Sequence, residues 1–351
     1  MERLSPGDAA CVAGPEGVLP VRWIGHRRLS LDALAEAELF APVRVCAGAV
    51  APGLPVRDLL LSPDHAVLLD GVLVPVRQLI NGRTIRAEPA RGAVTYWHVA
   101  LERHAVLRAA GLAAESLQPG GEDGFFANDP ACVVRHPPLL PATRVAPGLA
   151  APLLRAEAEV RPLWARLAAR AARLGHAPLG HAPWRPAEAR PAAPRLRLPS
   201  GRGVDGRGMD GRAADGRVVA PVLDTGDAVR FALPPGVRQA TLWSEAARPT
   251  ALAPWLDDRR RLGLRVRSVS FTTAQGEEVA LPLDHPGLCA GWWAEEGAGR
   301  DRHRWTDGAA TVPVPAGALL MTVRLADRAR IPLAPPGADG EGARQEAGAG
   351  V

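Results

Sequence analysis

The feature of this sequence that most constrains its fold is a series of short valine- and leucine-rich segments between residues 17 and 107. They include "VLPVRWIG", "APVRVCAGAV", "VLVPVRQLI" and "VTYWHVALERHAVL". Runs of roughly four to eight such residues, bounded by Gly, Pro and Asn-Gly, are typical of β-strands and hairpins, and Asn81-Gly82 is the clearest turn signal among them. This part of the chain is therefore predicted to be mainly β, with at most one short helix in "SLDALAEAEL".

The sequence period changes within a connector at residues 126–176. Apolar residues there recur at the i, i+3, i+4 and i+7 spacing of one helix face, which predicts an amphipathic helix over residues 160–175. Pro162 fits near the first turn of this helix and Gly175 fits just after the last. The members of the apolar face are Val160, Leu163, Trp164, Leu167, Ala171 and Leu174. We expect this helix to dock on one of the domains that flank it.

Beyond the helix, residues 177–218 are dominated by Pro, Ala, Gly and Arg, and Asp-Gly-Arg recurs at five-residue spacing. This composition predicts a flexible linker, because few large apolar groups are present to offset the entropy of ordering. The repeat lacks the spaced oxygen ligands of a calcium loop. Strand signals return over residues 219–334 and indicate a β-sandwich or jelly roll. Residues 335–351 are predicted to form a disordered tail.

Length and composition indicate a soluble protein with two ordinary domains. The chain has 351 residues, of which 47% are hydrophobic. No apolar run approaches the roughly 18 residues of a membrane helix, so no membrane is predicted as a partner. The N-terminus, "MERLSPGDAACV", lacks the basic start and the apolar core of a signal peptide. The sequence therefore predicts a cytoplasmic location, with an upstream start or export without a signal peptide as alternatives.

Charge and cysteine content exclude further classes of protein. The formal net charge is +5, and all 42 basic residues are arginines. They are scattered among acidic residues, as in "LDDRRRLGLRV", and form no basic stripe, so nucleic acid is not predicted as a partner. The cysteines, Cys11, Cys46, Cys132 and Cys289, form no Cys-x-x-Cys pair. This spacing favours reduced thiols over a disulfide framework or a zinc knuckle.

Several stretches follow one ordered pattern, and they carry a resemblance to a known family. They are "MERLSPGDAA", "PVRWIGHRRLS", "APVRVCAGAVAPGLPVRDLLLSPDHAVLLDGVLVPVRQLINGRTI" and "VTYWHVALERHAVLRAAGLAAES". Together they resemble the bacterial branch of the Hint (Hedgehog/intein) domain family. The resemblance implies an all-β, horseshoe-like fold over residues 1–125. It also implies chemistry directed at the protein's own polypeptide chain. No cofactor and no metal are predicted.

The resemblance also implies which residues carry that chemistry. In the family, a Cys or Ser attacks the preceding carbonyl and converts an amide into a thioester or ester, while a histidine protonates the departing nitrogen. That histidine closes a Thr-x-x-His motif, which "SPDH" matches here. His65 is thus assigned as the acid and Ser62 as its supporting hydroxyl, with Asp64 between them. A later motif of the family matches "VALERHAVLRAAG" and assigns His104 to tuning the reaction.

Two departures from the family pattern limit what this chain is expected to do. Splicing members end in His-Asn, whereas this chain has Glu115-Ser116, so splicing is not expected. Family domains begin with a nucleophilic Cys strand, and only then reach the segment that "MERLSPGDAA" resembles; Cys11 lies after that segment. The predicted Hint domain therefore lacks its first strand and its nucleophile. Two hypotheses stay open: an upstream start supplies the Cys, or the fold has lost its reaction and does not cleave itself.

The same residues also have plainer interpretations. His65 can be a structural histidine at the start of a strand. His98 and His104 can be polar strand or turn residues. A zinc site that combined these histidines would need a carboxylate such as Asp64 or Asp70, and this arrangement is not favoured.

A second functional hypothesis concerns the C-terminal half, which contains "PWLDDRRRLG", "LDHPGLCAGWWAEE" and "HRWTDG". Exposed aromatic rings beside carboxylates suit carbohydrate, so a glycan or a partner protein is the alternative ligand, bound by the β-sandwich. The candidate residues are Trp255, Trp292, Trp293, Trp305, Asp284 and Asp307. Tryptophans that fill the core of the sandwich are the favoured interpretation of the same pattern.

Overall fold

A computed structural model describes residues 3–118, 126–128, 148–176, 189–199 and 217–332. Most of the predicted linker and the predicted C-terminal tail lie outside these residues. Within the described part of the chain, no helix combines the length and the apolar character that crossing a membrane requires.

The chain divides into two compact units. The first unit comprises Met1–Arg185 together with the short segment Ala253–Asp257, and the second comprises Pro186–Leu252 and Asp258–Val351. The segment Ala253–Asp257 therefore belongs to the first unit although it lies far along the chain, within the range that the sequence assigned to the C-terminal sandwich.

The first unit consists of short strands and one helix. Its elements are β1 (Ala9–Cys11), β2 (Val18–Pro20), β3 (Trp23–Ser30), β4 (Val43–Val45), β5 (Leu59–Leu61), β6 (Ala66–Leu69), β7 (Val72–Pro75), β8 (Ile85–Ala87), β9 (Ala93–Ala100), β10 (Val106–Ala109), β11 (Leu112–Glu115) and α1 (Glu157–Arg173). The strands form small antiparallel sheets: β1 with β2, β3 with β9, β4 between β5 and β8, and a four-stranded sheet in the order β10, β11, β6, β7. The prediction of a mainly β chain is confirmed.

Local turn chemistry explains how these strands are joined. Asp70 and Gly71 connect β6 to β7 with φ angles of 49° and 84°. Positive φ at both central residues is typical of a type I′ hairpin turn, for which Asp-Gly is a preferred sequence. Ala110 and Gly111 connect β10 to β11 with the same backbone conformation, at φ angles of 48° and 83°. Both hairpins of the four-stranded sheet are therefore tight.

The turn predicted at Asn81-Gly82 is present. The Asn81 Oδ1 atom accepts hydrogen bonds of 3.0 Å from the N–H groups of Arg83, Thr84 and Ile85. The side chain thus supplies the acceptor that these three main-chain N–H groups would otherwise lack. The turn leads directly into β8, which pairs with β4. The single short helix allowed in "SLDALAEAEL" appears instead as two 3₁₀ turns, Leu31–Ala33 and Ala37–Leu39.

Helix α1 forms close to the predicted range and docks on the first unit. Two glutamates lie in its first turn and two arginines in its last, which complements the helix dipole. The side chains of Val160 and Leu167 are buried in the same core as those of Val76 and Leu79, which belong to the 3₁₀ turn Val76–Leu79. Leu174, the last member of the predicted apolar face, is 47% exposed. The helix thus covers one side of the small sheets.

The second unit is a β-sandwich. Its strands are β12 (Ala189–Pro191), β13 (Arg195–Leu198), β14 (Arg217–Val219), β15 (Leu223–Asp224), β16 (Ala228–Ala232), β17 (Gln239–Trp243), β18 (Leu264–Thr273), β19 (Glu278–Leu281), β20 (Trp292–Glu296), β21 (His303–Thr306), β22 (Ala309–Pro313), β23 (Ala318–Arg328) and β24 (Arg330–Pro332). One sheet has four strands in the order β14, β13, β17, β22. The other has seven: six in the order β15, β16, β23, β18, β21, β20, and β19, which pairs with β18. Strands β12 and β24 form a separate pair.

The two large sheets share one core, to which alternate residues of each strand contribute. Leu196 and Leu242 come from the four-stranded sheet, and Phe231, Phe271 and Met321 come from the seven-stranded sheet. Inward-facing side chains from two sheets that interdigitate in this way define a sandwich.

The second unit also begins earlier than the sequence suggested, because β12 and β13 lie within the range predicted to be linker. Leu196 and Leu198 alternate with arginines along β13, so both leucines face the core and β13 can join the sheet.

Docking of α1 has a measurable energetic consequence. Replacement of Leu167, which is 1% exposed, by Ala should lower the unfolding free energy of the first unit by about 2–5 kcal/mol, because it leaves a cavity under the helix. Leu174→Ala removes the same side chain from the exposed end of the same face, and should change stability by less than about 0.5 kcal/mol. Urea unfolding of the two variants tests this difference, and equal losses would contradict docking of the helix.

Candidate functional site

The Ser62–His65 segment forms a tight turn immediately before β6. The His65 N–H donates to the Ser62 carbonyl at 3.0 Å, which closes the turn. Two further main-chain bonds hold the turn against the 3₁₀ turn Val76–Leu79: the Val76 N–H donates to the His65 carbonyl at 2.9 Å, and the Arg77 N–H donates to the Pro63 carbonyl at 3.0 Å. The backbone that carries the His65 ring is therefore fixed on both sides.

Strand β11 brings a carboxylate to this turn. Ala114 of β11 pairs with Val67 of β6, so Glu115 at the end of β11 lies beside the start of β6. The Glu115 Oε1 atom accepts a hydrogen bond of 2.7 Å from the Ala66 N–H. The Glu115 side chain is 21% exposed. A mostly buried acidic side chain is thereby placed next to the residue that follows His65.

His104 lies on the other side of this carboxylate. Its side chain is 1% exposed, and its Nε2 atom is 3.5 Å from the Glu115 Oε2 atom. Its Nδ1 atom accepts a hydrogen bond of 2.9 Å from the Ala150 N–H. An Nδ1 atom that accepts a hydrogen bond carries no proton, so the ring proton is on Nε2 and points toward the carboxylate. His104 therefore orients Glu115, and the Ala150 amide orients His104.

His98, from β9, completes a cluster of three histidines and one carboxylate. The centroid of its ring is 5.9 Å from that of His65, with the two planes at 41°. Burial and the neighbouring His65 lower the pKa of His98 from 6.5 to about 4, against the opposing effect of the Glu115 carboxylate. His98 is therefore neutral at physiological pH.

The electrostatics of His65 reflect the same surroundings. Burial lowers the pKa of the His65 ring, and His104 acts in the same direction. The Glu115 carboxylate and a hydrogen bond from the ring to the main chain of Glu115 act in the opposite direction, but the pKa of His65 remains below its ordinary value. At neutral pH the His65 ring is therefore uncharged and able to accept a proton.

Glu115 is held as a carboxylate by its neighbours. Burial would raise the pKa of the Glu115 carboxyl, but the nearby His104 ring, the proximity of His65 and the hydrogen bond from the Ala66 N–H together bring that pKa below its ordinary value. A neutral imidazole beside an ionised carboxylate suits general acid–base chemistry, because the carboxylate stabilises the imidazolium that forms when the imidazole takes up a proton. Among the residues that the structure describes, no group of three or more His, Cys, Asp or Glu side chains is arranged to hold a metal ion.

Asp64 does not join the histidine cluster but supports the turn that carries His65. Its Oδ1 atom lies 2.9 Å from the Nε atom of Arg77, and its side chain is 53% exposed. The Arg77 side chain is 9% exposed and also pairs with Asp257, which reaches the first unit from a distant part of the chain. Arg155 approaches the same Asp257 carboxylate at 3.5 Å. Two arginines and two aspartates thus form one network beneath the turn.

The neighbouring residue Gln78 anchors the same distant segment. Its side chain is fully buried, and its Nε2 atom donates to the carbonyls of Arg155 at 3.0 Å and Trp255 at 2.9 Å. The Trp255 ring packs on Trp164 of α1 with centroids 4.5 Å apart, and its Nε1 atom donates to Glu157 at 3.2 Å. The segment Ala253–Asp257 is therefore built into the support of the histidine-bearing turn.

All four residues that the sequence assigned lie on this turn or beside it, but the Asp64 side chain pairs with Arg77 and does not join the histidines. Ser62 and His65 share one turn, and His104 contacts the carboxylate that lies beside it. The sequence did not assign a role to Glu115, although its place in the family's terminal motif was a usable signal. From the sequence, His98 was expected only to be a polar strand residue or, less favoured, a metal ligand. No sequence signal pointed to Asp257.

The tryptophans proposed for sugar stacking have other roles in the structure. Trp255 belongs to the first unit, whereas Trp292 and Trp293 belong to the second. Trp292 is 8% exposed within the sandwich core, and its Nε1 atom donates to the Thr311 carbonyl at 2.8 Å. The Trp293 Nε1 atom donates to the Arg261 carbonyl at 2.8 Å. These indole groups are engaged by the main chain of their own unit.

The carboxylates proposed to lie beside them are also engaged. Asp284 lies 3.6 Å from Arg302, and the Asp307 Oδ1 atom accepts a hydrogen bond of 2.9 Å from the Ala309 N–H. Trp292 lies in the sandwich core, and nothing in the described residues of the second unit identifies a glycan site.

The low pKa of His98 predicts a loss of stability in acid. The folded state keeps His98 neutral down to about pH 4, whereas the unfolded chain protonates it near 6.5. The unfolded state therefore binds more protons in this window, and the unfolding free energy should fall by up to roughly 3 kcal/mol as the pH drops through it. NMR titration of the His98 ring and urea unfolding at several pH values test this. His98→Gln should flatten the dependence, and a His98 pKa near 6.5 would contradict the assignment.

The network beneath the turn predicts a contrast between two aspartates. Asp257→Asn removes the negative charge that pairs with the buried Arg77. This change should lower the unfolding free energy of the first unit by about 1–3 kcal/mol. Asp70→Asn removes a charge from the pair with Arg166, in which both side chains are more than half exposed, and should cost less than about 1 kcal/mol. Urea unfolding of both variants measures the contrast. A larger loss for Asp70→Asn would be inconsistent with the network.

Comparison with known protein families gives a match to the N-terminal part of the chain. The family model of the Hint domain matches residues 1–121. Neither a curated protein nor a solved structure matched the chain. The matched residues include strands β1 to β11 and the whole cluster of His65, His98, His104 and Glu115. The family match and the β-rich architecture together support a Hint domain over residues 1–121, about a third of the chain.

Proposed function

We propose that the Hint domain of this chain catalyses proton transfer in the processing of its own polypeptide, with His65 as the proton carrier. One observation carries the proposal: the mostly buried Glu115 carboxylate contacts the Ala66 N–H and His104, and lies close enough to His65 to affect its pKa. This cluster lies at the motif that matches the family's Thr-x-x-His histidine. A buried carboxylate and a neutral imidazole at such a motif fit acid–base work better than a purely structural role.

The proposed reaction is a shift of an acyl group from nitrogen to sulfur or oxygen. The thiol or hydroxyl of a Cys or Ser loses its proton to the neutral His65 ring and attacks the carbonyl of the preceding residue. The bond from carbon to sulfur or oxygen forms, the carbon–nitrogen bond breaks, and the His65 imidazolium returns the proton to the departing amine. No other reactant is needed, because the proton that leaves the nucleophile is the proton that the amine receives.

The neighbouring residues position His65 for this work. Glu115 stabilises the imidazolium form through its charge, and His104 holds the Glu115 carboxylate in place. Ser62 closes the turn through its carbonyl, and its hydroxyl is the counterpart of the family's threonine. Asp64 acts at a distance, through its ion pair with Arg77. In this proposal His65 handles the proton, and the other four residues position it.

The proposal does not assign the nucleophile to a thiol that the structure describes. The Cys46 sulfur is buried and accepts a hydrogen bond of 2.9 Å from Arg86. Cys11 is exposed in β1, and Cys289 belongs to the second unit. A chain that has no Cys or Ser at the scissile bond would keep the proton-transfer site without the reaction.

A cleavage assay with two chains tests the proposal. The chain that starts at Met1 should keep its mass on incubation with a small thiol. The same chain, extended at its N-terminus by a segment that supplies a Cys, should be cleaved immediately before that Cys. His65→Ala should slow the cleavage by about a hundredfold, since it removes the proton carrier.

The matched control is His285→Ala, which removes an imidazole of the second unit, where its Nδ1 atom accepts a hydrogen bond from the Gly287 N–H. This control should cleave at the parent rate. Intact mass measured over time gives the rates. Equal rates for His65→Ala and the parent chain would show that His65 is not the proton carrier.

A further inference from the structure

A short segment beyond the matched Hint residues lies along the outer edge of β3. Within the described residues, β3 pairs with β9 alone. The Ala127 N–H donates to the His26 carbonyl at 2.9 Å. The Asn128 side chain bonds twice to the same edge: its Oδ1 atom accepts from the His26 N–H at 3.0 Å, and its Nδ2 atom donates to the Ile24 carbonyl at 2.8 Å. The outward main-chain groups of Ile24 and His26 are thus satisfied by a segment about a hundred residues downstream.

The aromatic ring of this segment fills a pocket on the face of the sheet. Phe126 is 2% exposed. Its ring centroid lies 5.1 Å from that of Trp23, with the planes at 74°, and 5.3 Å from that of His98. Edge-to-face packing of this kind is a favourable aromatic geometry.

Gly25 creates the space that the ring occupies. It lies opposite His98 in the register of β3 with β9. A Cβ atom at Gly25 would be 2.7 Å from the Phe126 Cδ1 atom and 2.5 Å from the Trp23 Cη2 atom. Any larger residue at position 25 would therefore displace the Phe126 ring. The pocket is lined by Trp23 and His98, and it is open because Gly25 has no side chain to fill it.

These contacts have the form of peptide recognition by a sheet edge. Main-chain groups of an open strand supply affinity, and a pocket for one side chain supplies specificity. The Asn128 amide adds a second specific element, because it presents one acceptor and one donor to two strand groups at once. The self-processing proposal uses none of the three residues of the segment.

We infer that the outer edge of β3, together with the pocket of Trp23, Gly25 and His98, is a binding site for an extended peptide. Its ligand carries an aromatic residue followed two positions later by asparagine. Phe126–Asn128 is the occupant supplied by the chain itself. An attached ligand competes at an effective concentration of about a millimolar, so the native chain should exclude the same peptide in trans.

A peptide-binding experiment on the full chain tests this site. The double variant Phe126→Ala with Asn128→Ala vacates the site, and fluorescence anisotropy follows a labelled peptide, Gly-Phe-Phe-Ala-Asn-Asp, which has the sequence of residues 124–129. The vacated chain should bind it with a Kd below about 0.1 mM, at least about tenfold more tightly than the native chain, in which the attached segment competes at about 1 mM. The control peptide Gly-Phe-Ala-Ala-Ala-Asp should not bind.

Adding Gly25→Val to the double variant should abolish binding, because the new side chain fills the pocket. The inference is overturned if the vacated chain fails to bind the peptide, or binds both peptides equally. Should the double variant not fold, the single variant Asn128→Ala provides an independent reading. Hydrogen exchange at the His26 amide should then be at least about tenfold faster than in the native chain, and an unchanged rate would refute the assignment. Both readouts are independent of any cleavage activity.

Discussion

The mostly buried carboxylate of Glu115 is the constraint on which this part of the fold depends. It accepts a hydrogen bond from Ala66, lies 3.5 Å from His104, and opposes the effect of burial on the pKa of His65. A carboxylate removed from water is stable only when such partners surround it, so the end of β11, the start of β6 and the His104 segment must assemble together. The contacts that close the fold at this point are therefore the same contacts on which the proposed role of His65 depends.

The parts of the fold that the sequence predicts correctly are those that depend on neighbours along the chain. The Asn81 turn follows from an amide that can accept three adjacent N–H groups. Helix α1 follows from the spacing of side chains such as Val160 and Leu167. The sandwich follows from alternation within each strand, such as that of Val229 and Phe231 in β16. Each of these signals is contained within a few residues.

The parts that the sequence does not predict depend on contacts between distant residues. Asp257 reaches Arg77 across 180 positions, and Phe126 reaches the β3 edge across about a hundred. No local period marks either contact. Glu115 was visible as a departure from the family's final motif, but its function required knowledge that β11 lies beside β6. The family motif was therefore enough to select His65 as a candidate. The positions of Glu115 beside it and of Asp257 beneath the turn could be known only from the tertiary structure.

The central claim is that this Hint domain acts on its own polypeptide through His65. The most direct test is the intact mass and N-terminal sequence of the protein isolated from its own cells. Self-processing predicts a mature chain whose first residue is the Cys or Ser of the scissile bond, with the preceding segment released. A chain that runs uncleaved through such a residue would contradict it.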